Sequence, residues 1–133
     1  MSGETDLNVL LQSMTATLQD GLFVFVTLAN DVIPIGLRPR MVFQESEGTT
    51  LILLQEEAAA HGLAFEFPCR MITLNVHSAL EAVGFIARIA TELAALGMGV
   101  NPVAGFFHDH LFVPDGCEQQ ALAALSDLAN SVS

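Results

Sequence analysis

The sequence contains no lysine: four arginines stand against fifteen Asp and Glu, a formal net charge of −11 over 133 residues. That balance repels phosphate backbones and anionic lipid, so nucleic acid and membrane surfaces are poor partners. Neither GxxxxGK[ST] nor GxGxxG is present to cradle phosphates. A ligand is therefore expected to be small, and cationic or zwitterionic rather than polyanionic. No apolar run approaches the about 20 residues that a membrane span requires. The opening MSGETDLN is acidic and polar, the reverse of a secretory or transit signal, so a cytoplasmic location is expected. Cys69 and Cys117 are isolated and lack CxxC spacing. They read as free, small apolar residues rather than as a disulfide or a metal pair.

Hydrophobic residues, in contrast, make up 52% of the chain and charged residues only 14%. Such a chain folds and buries a core. Leu7, Leu10, Leu11, Met14 and Leu18 recur on one face of a helix, with Thr5 or Asp6 as its N-cap. Asp20-Gly21 breaks that pattern, and LFVFVTL (22–28) follows as a continuously apolar strand. ANDVIPIGLRPR, with Pro34, Gly36 and Pro39, reads as a loop. MVFQ and TTLILL flank the polar turn ESEG, a hairpin that leads into the short helix QEEAAAHG. LAFEF is a strand interrupted by Pro68, and RMITLNV (70–76) is another.

Ser78 and Glu81 have the spacing of a capping box and are expected to open the strongest helix. Its buried stripe would be Phe85, Ile86, Ile89, Leu93 and Leu96, with Arg88 and Glu92 as an exposed pair and Gly97 as its end. GVNPVAG and HLFV form a second hairpin with FFHD at its turn. A last helix runs from about residue 118, turning Leu122, Leu125, Leu128 and Val132 inward. TTLILLQEEAAAHGL and HDHLFVPDGCEQQALAAL are both the second strand of a hairpin entering a helix that opens with Glu and Gln. The offset is about sixty residues, which suggests a duplicated ββα unit. From residue 70 the order is strand, helix, strand, strand, helix: the βαββαβ pattern of ferredoxin-like folds, short of its last strand. The earlier half offers strand, loop, strand, strand, helix, strand. The fold class is therefore α+β.

VAGFFHDHLFVP places His108, Asp109 and His110 between apolar runs. His108 and His110 share a face of a strand and could chelate a zinc ion with His77, His61, Asp109 or Cys117 as a third ligand. No HExxH or Cys pair supports that reading. Catalysis finds less support, because neighbours in a strand point to opposite faces and no GxSxG is present. Asp109 inside an apolar strand requires a partner. Arg38, Arg40, Arg70 or the cationic group of a ligand would serve, and residue types alone leave these open.

Together, the opening SGETDLNVLLQSMTATLQDGLFVFVTL and the closing LGMGVNPVAGFFHDHLFVP resemble small bacterial ACT-domain proteins. Those are similar to the tandem ACT modules of aspartate kinases and to the ACT regions of the cytosolic arginine sensors of animal cells. The resemblance covers nearly the entire chain, and HDHLFVP is its most specific part. It implies two tandem ACT-like (ferredoxin-like) halves, residues 1–68 and 69–133, with antiparallel sheets and helices packed on one face. It further implies binding of an amino-acid effector, no catalysis, no cofactor and a homodimer.

In such modules the ligand sits near the loop after the first strand, here NVHSALEAVG, so Asn75, His77 and Ser78 are its candidates. Asp109 matches the aspartate that contacts ligand in the arginine sensors, and Asn101 and Gly105 lie on the facing hairpin strand. Asp109 is accordingly expected to face the crevice between the strand that begins at Arg70 and the neighbouring ACT-like half. Modules of this kind usually regulate a domain covalently joined to them; here none is expected, so a regulated protein would be a separate partner. The alternative is an interaction or dimerisation module without a small ligand, or, third, a metal-binding protein using His108 and His110.

Overall fold

The computed structural model describes residues 3–132. The chain forms two compact units, one of Met1–Asp20 with Arg70–Ser133 and the other of Gly21–Cys69. The first is called the outer unit and the second the inserted unit.

Helix α1 (Leu7–Ser13) begins where Asp6 accepts the Val9 N–H on its side chain at 3.1 Å. The helical stripe stops short of Leu18. Met14 is already extended, and the β-branched Thr15 and Thr17 favour a strand. Ala16–Leu18 forms β1, antiparallel to residues 72–74.

The inserted unit holds β2 (Phe23–Leu28), β3 (Met41–Glu45), β4 (Gly48–Leu54) and α2 (Gln55–Ala60). It also holds the first residues of β5 (Glu66–Leu74). The strand order is β3-β4-β2-β5, all antiparallel. Residues 29–40 form a loop where a ferredoxin-like unit carries its first helix. The core is Val24, Val26, Leu51, Leu53 and Ala58, with Ile33 and Leu37 of the loop packed against it. Gly48 closes the β3–β4 turn where a Cβ would lie 2.5 Å from the Leu28 carbonyl oxygen.

Pro68 does not interrupt the strand as expected. Phe23 pairs with Cys69 and Phe25 with Glu66, so β5 carries one extra residue over that interval. Phe67 takes a positive φ of 57° there. The bulge places Pro68 where the ladder is already broken, and its missing N–H costs nothing.

The outer unit adds α3 (Phe85–Ala94), β6 (Asn101–Ala104), β7 (Asp109–Pro114) and α4 (Glu118–Ser131) to β5. Its strands run in the order β1-β5-β7-β6. The last strand missing from the βαββαβ pattern is thus supplied by β1, from the opposite end of the sequence. Both units repeat one strand order, and both contain the expected ββα element (β3-β4-α2 and β6-β7-α4). Leu10, Leu11 and Met14 are buried with Ile72, Leu74, Ile89 and Leu125. Residues 3–20, expected in a first half ending at 68, therefore pack with the second, because their strand and apolar face complete its sheet and core.

The capping box is overturned. Helix α3 starts at Phe85, behind Gly84 in a left-handed conformation at φ 91°, and the Ser78 hydroxyl bonds elsewhere. Phe85, Ile89 and Leu93 are buried as expected, but Leu96 lies beyond the helix end and is 40% exposed. Arg88 and Glu92 form the exposed pair, 3.5 Å apart. Among the described residues no helix is long and apolar enough to cross a membrane.

Candidate functional site

A cavity of about 180 Å³ opens in the outer unit. Its walls are the loop from Ser78 to Gly84, the first turn of α3, and Ala104, Gly105 and Asp109 of the β6–β7 hairpin. A larger cavity, about 470 Å³, lies between the α1–β1 segment and α4, but among the described residues no ionisable side chain lines it. The smaller one holds an ionisable side chain, Asp109.

Asp109 opens β7 and is only 6% exposed. The Ser78 hydroxyl donates to its Oδ2 at 2.9 Å. Burial of a carboxylate demands hydrogen-bond partners, and a carboxylate accepts more than one such bond. Arg70, one of the internal partners considered for Asp109, lies 3.3 Å from Glu118. Another part of the lining has the contrary electrostatic character. No side chain caps the amino end of α3, and Phe85, Ile86 and Ala87 of its first turn line the cavity. First-turn N–H groups lack intrahelical acceptors and sit at the positive end of the helix dipole. Ala79, Leu80, Ala82 and Ile86 add apolar surface to the lining.

Gly105 is required by close approach. A Cβ there would lie 2.8 Å from the His108 carbonyl oxygen, which accepts the Gly105 N–H at 2.9 Å. His110 hydrogen-bonds through Nδ1 to the Thr73 hydroxyl at 2.9 Å, and Gln19 Nε2 donates to the same hydroxyl at 3.0 Å. Burial holds the His110 pKa below the ordinary histidine value; the neighbouring His108 lowers it further and Asp109 opposes. At the hairpin turn, Phe106 and Phe107 pack edge to face with centroids 5.0 Å apart, and the His77 ring lies 5.5 Å from Phe107.

Of the six residues singled out in the sequence, Ser78, Gly105 and Asp109 line the cavity. The other three do not. Asn75 Nδ2 donates to Thr17 Oγ1 at 2.7 Å, His77 packs against Phe107 with the rings tilted by 49°, and Asn101 stands exposed opposite Phe112. Sequence reasoning missed the amino end of α3, with Gly84, Phe85 and Ile86. The glycine in EAVGF was the available signal, masked by the capping-box spacing of Ser78 and Glu81. Among the described residues no group of three or more His, Cys, Asp or Glu is placed to hold a metal ion.

A protein of unknown function from Vibrio cholerae, a possible transport protein, is 45% identical, with 92% of this chain and 95% of that one covered at a TM-score of 0.84. An Agrobacterium tumefaciens protein shares the fold at 16% identity, with 87% and 89% covered and a TM-score of 0.74. So does the regulatory subunit of aspartate kinase from Thermus thermophilus, at 10% identity, 85% and 95% covered and a TM-score of 0.59. No curated protein matches the sequence. Residues 2–70 match one ACT-domain family and residues 66–127 match another. With a match over more than half its length and a second following it, the chain belongs to the ACT-domain family and carries two such domains in tandem.

Proposed function

We propose that this chain is a non-catalytic regulatory module that binds an amino acid in the cavity of the outer unit. The ligand's ammonium would lie against Asp109, with Ser78 and Gly105 beside it, and its carboxylate toward the amino end of α3. The observation that carries this reading is the pairing, across one small cavity, of a buried carboxylate with an uncapped helix terminus. A zwitterion satisfies both. The volume, about 180 Å³, is below the roughly 300–1,000 Å³ of sites for drug-sized ligands. Asp109 is the one acid in the lining. The ligand's ammonium uses it, so the side chain should be neutral, and Leu80, Ala82 and Ile86 favour an aliphatic one. In this reading the module forms a homodimer in the cytoplasm and acts on a separate protein partner.

A thermal-unfolding screen against the twenty amino acids tests it. A ligand at one hundred times its Kd adds about 2.7 kcal/mol to stability, and valine, leucine and isoleucine are the expected hits. A screen without a hit removes the proposal. It would favour the second reading, a protein-interaction module, which rests on Phe106 at 60%, Phe107 at 56% and Leu80 at 66% exposure near the cavity mouth.

A further inference from the structure

We propose that residues 3–6 form a positioning strap that sets the geometry of this cavity and is coupled to its occupancy; the inference rests on the ligand-binding reading above. Glu4 and Ser78 form a parallel bridge. The Glu4 N–H donates to the His77 carbonyl at 2.8 Å, and the Ala79 N–H donates to the Glu4 carbonyl at 2.9 Å. These two bonds clamp the backbone on either side of Ser78, the residue whose hydroxyl holds Asp109.

The approach is so close that Gly3 is required. A Cβ there would lie 2.6 Å from the His77 carbonyl oxygen and 2.7 Å from the Ala79 nitrogen. Both are backbone atoms that cannot swing aside. The strap is itself anchored. Glu4 Oε2 accepts the Thr5 N–H at 2.9 Å and the Asp6 N–H at 3.2 Å, and Asp6 caps α1. Leu10 and Leu11 then fix α1 in the core. The clamped loop, between β5 and α3, lacks regular helix or strand structure of its own. Its placement therefore depends on what binds its backbone.

Coupling between two sites is reciprocal. If the strap favours ligand binding, ligand must hold the strap by the same factor. The strap would then relay occupancy of the cavity to α1.

The test uses two variants of the full chain, Gly3→Val, which forces the strap off sterically, and Glu4→Pro, which removes the N–H given to His77. Amide exchange is read without ligand at Ala79, on the strap side, and at Gly105 and Asp109, across the cavity. Affinity for L-leucine is read by calorimetry, with the other nineteen amino acids as further probes. The expected result is faster exchange at Ala79, Gly105 and Asp109, unchanged protection in α4, and affinity weakened by about tenfold, the equivalent of one net hydrogen bond. Wild-type Ala79 should become more protected with ligand by a comparable factor.

Release of Ala79 with Gly105, Asp109 and affinity unchanged would overturn the proposal. So would loss of α4 protection in both variants, which would make residues 3–6 a general structural element. If the wild type binds no amino acid, the binding reading fails by itself. Exchange at Gly105 and Asp109 then decides whether the strap positions the cavity.

Discussion

Ser78 and Asp109, thirty-one residues apart, meet at 2.9 Å with the serine hydroxyl donating to the carboxylate. The contact joins the loop after β5 to the first residue of β7, and the cavity opens beside it. Helix α3 begins seven residues after Ser78, at Phe85. With Ser78 held at Asp109, the chain runs on to Gly84 before turning into α3.

Asp109→Asn separates a ligand contact from a structural acid. The amide oxygen still accepts the Ser78 hydrogen, so unfolding in the absence of ligand should change little. Amino-acid affinity should fall by about 1.5–3 kcal/mol, the scale of a hydrogen bond to a charged group. Calorimetry together with urea unfolding reads both. A variant that loses apo stability yet binds as tightly as wild type would remove Asp109 from the site.

Gly105→Ala should destabilise the outer unit by about 1–3 kcal/mol, the usual cost of forcing atoms into a packed position. The cause is the 2.8 Å approach to the His108 carbonyl oxygen, a backbone atom. Because Gly105 also lines the cavity, ligand affinity should fall with stability. Unchanged urea midpoints would show that the turn relaxes freely.

Leu10→Ala should cost about 2–5 kcal/mol, as for a buried leucine. Amide exchange should rise in α3 and α4 of the outer unit. Loss confined to residues 3–20, with α4 fully protected, would contradict the packing of the first twenty residues into that core.

His110 should make stability depend on pH near neutrality. Its folded pKa lies below the ordinary value because of burial, with His108 adding to the effect and Asp109 opposing it. The unfolded chain therefore binds the proton first. This contribution is complete above about pH 6.5, the unfolded histidine value, and is lost as pH falls through the folded pKa. Urea midpoints measured from pH 7.5 to 5 should fall less steeply in His110→Gln than in wild type. Equal slopes would assign the dependence to other groups.

Local patterning sufficed for much of this molecule. The alternation and turn chemistry of both hairpins, the stripe of Phe85, Ile89 and Leu93, and the ββα repeat are all short-range signals, and each appears in the structure. HDHLFVP likewise marked Asp109 as an acid that needed a partner. The failures share one cause. Leu18 fits a helical spacing but is taken into a strand by pairing with Ile72, and Ser78 fits a capping box but is drawn to Asp109. Pro68 reads as a strand breaker but falls on a bulge created by β2. Each depends on a partner far along the chain, and helix propensities or cap preferences of about 1 kcal/mol yield readily to such contacts. Residue types and spacing thus established the α+β class, the repeat and an aspartate that had to find a partner. That β1 closes the sheet of the outer unit, and that the first turn of α3 and Asp109 line one cavity, follow from long-range strand pairing and burial, which no local pattern encodes.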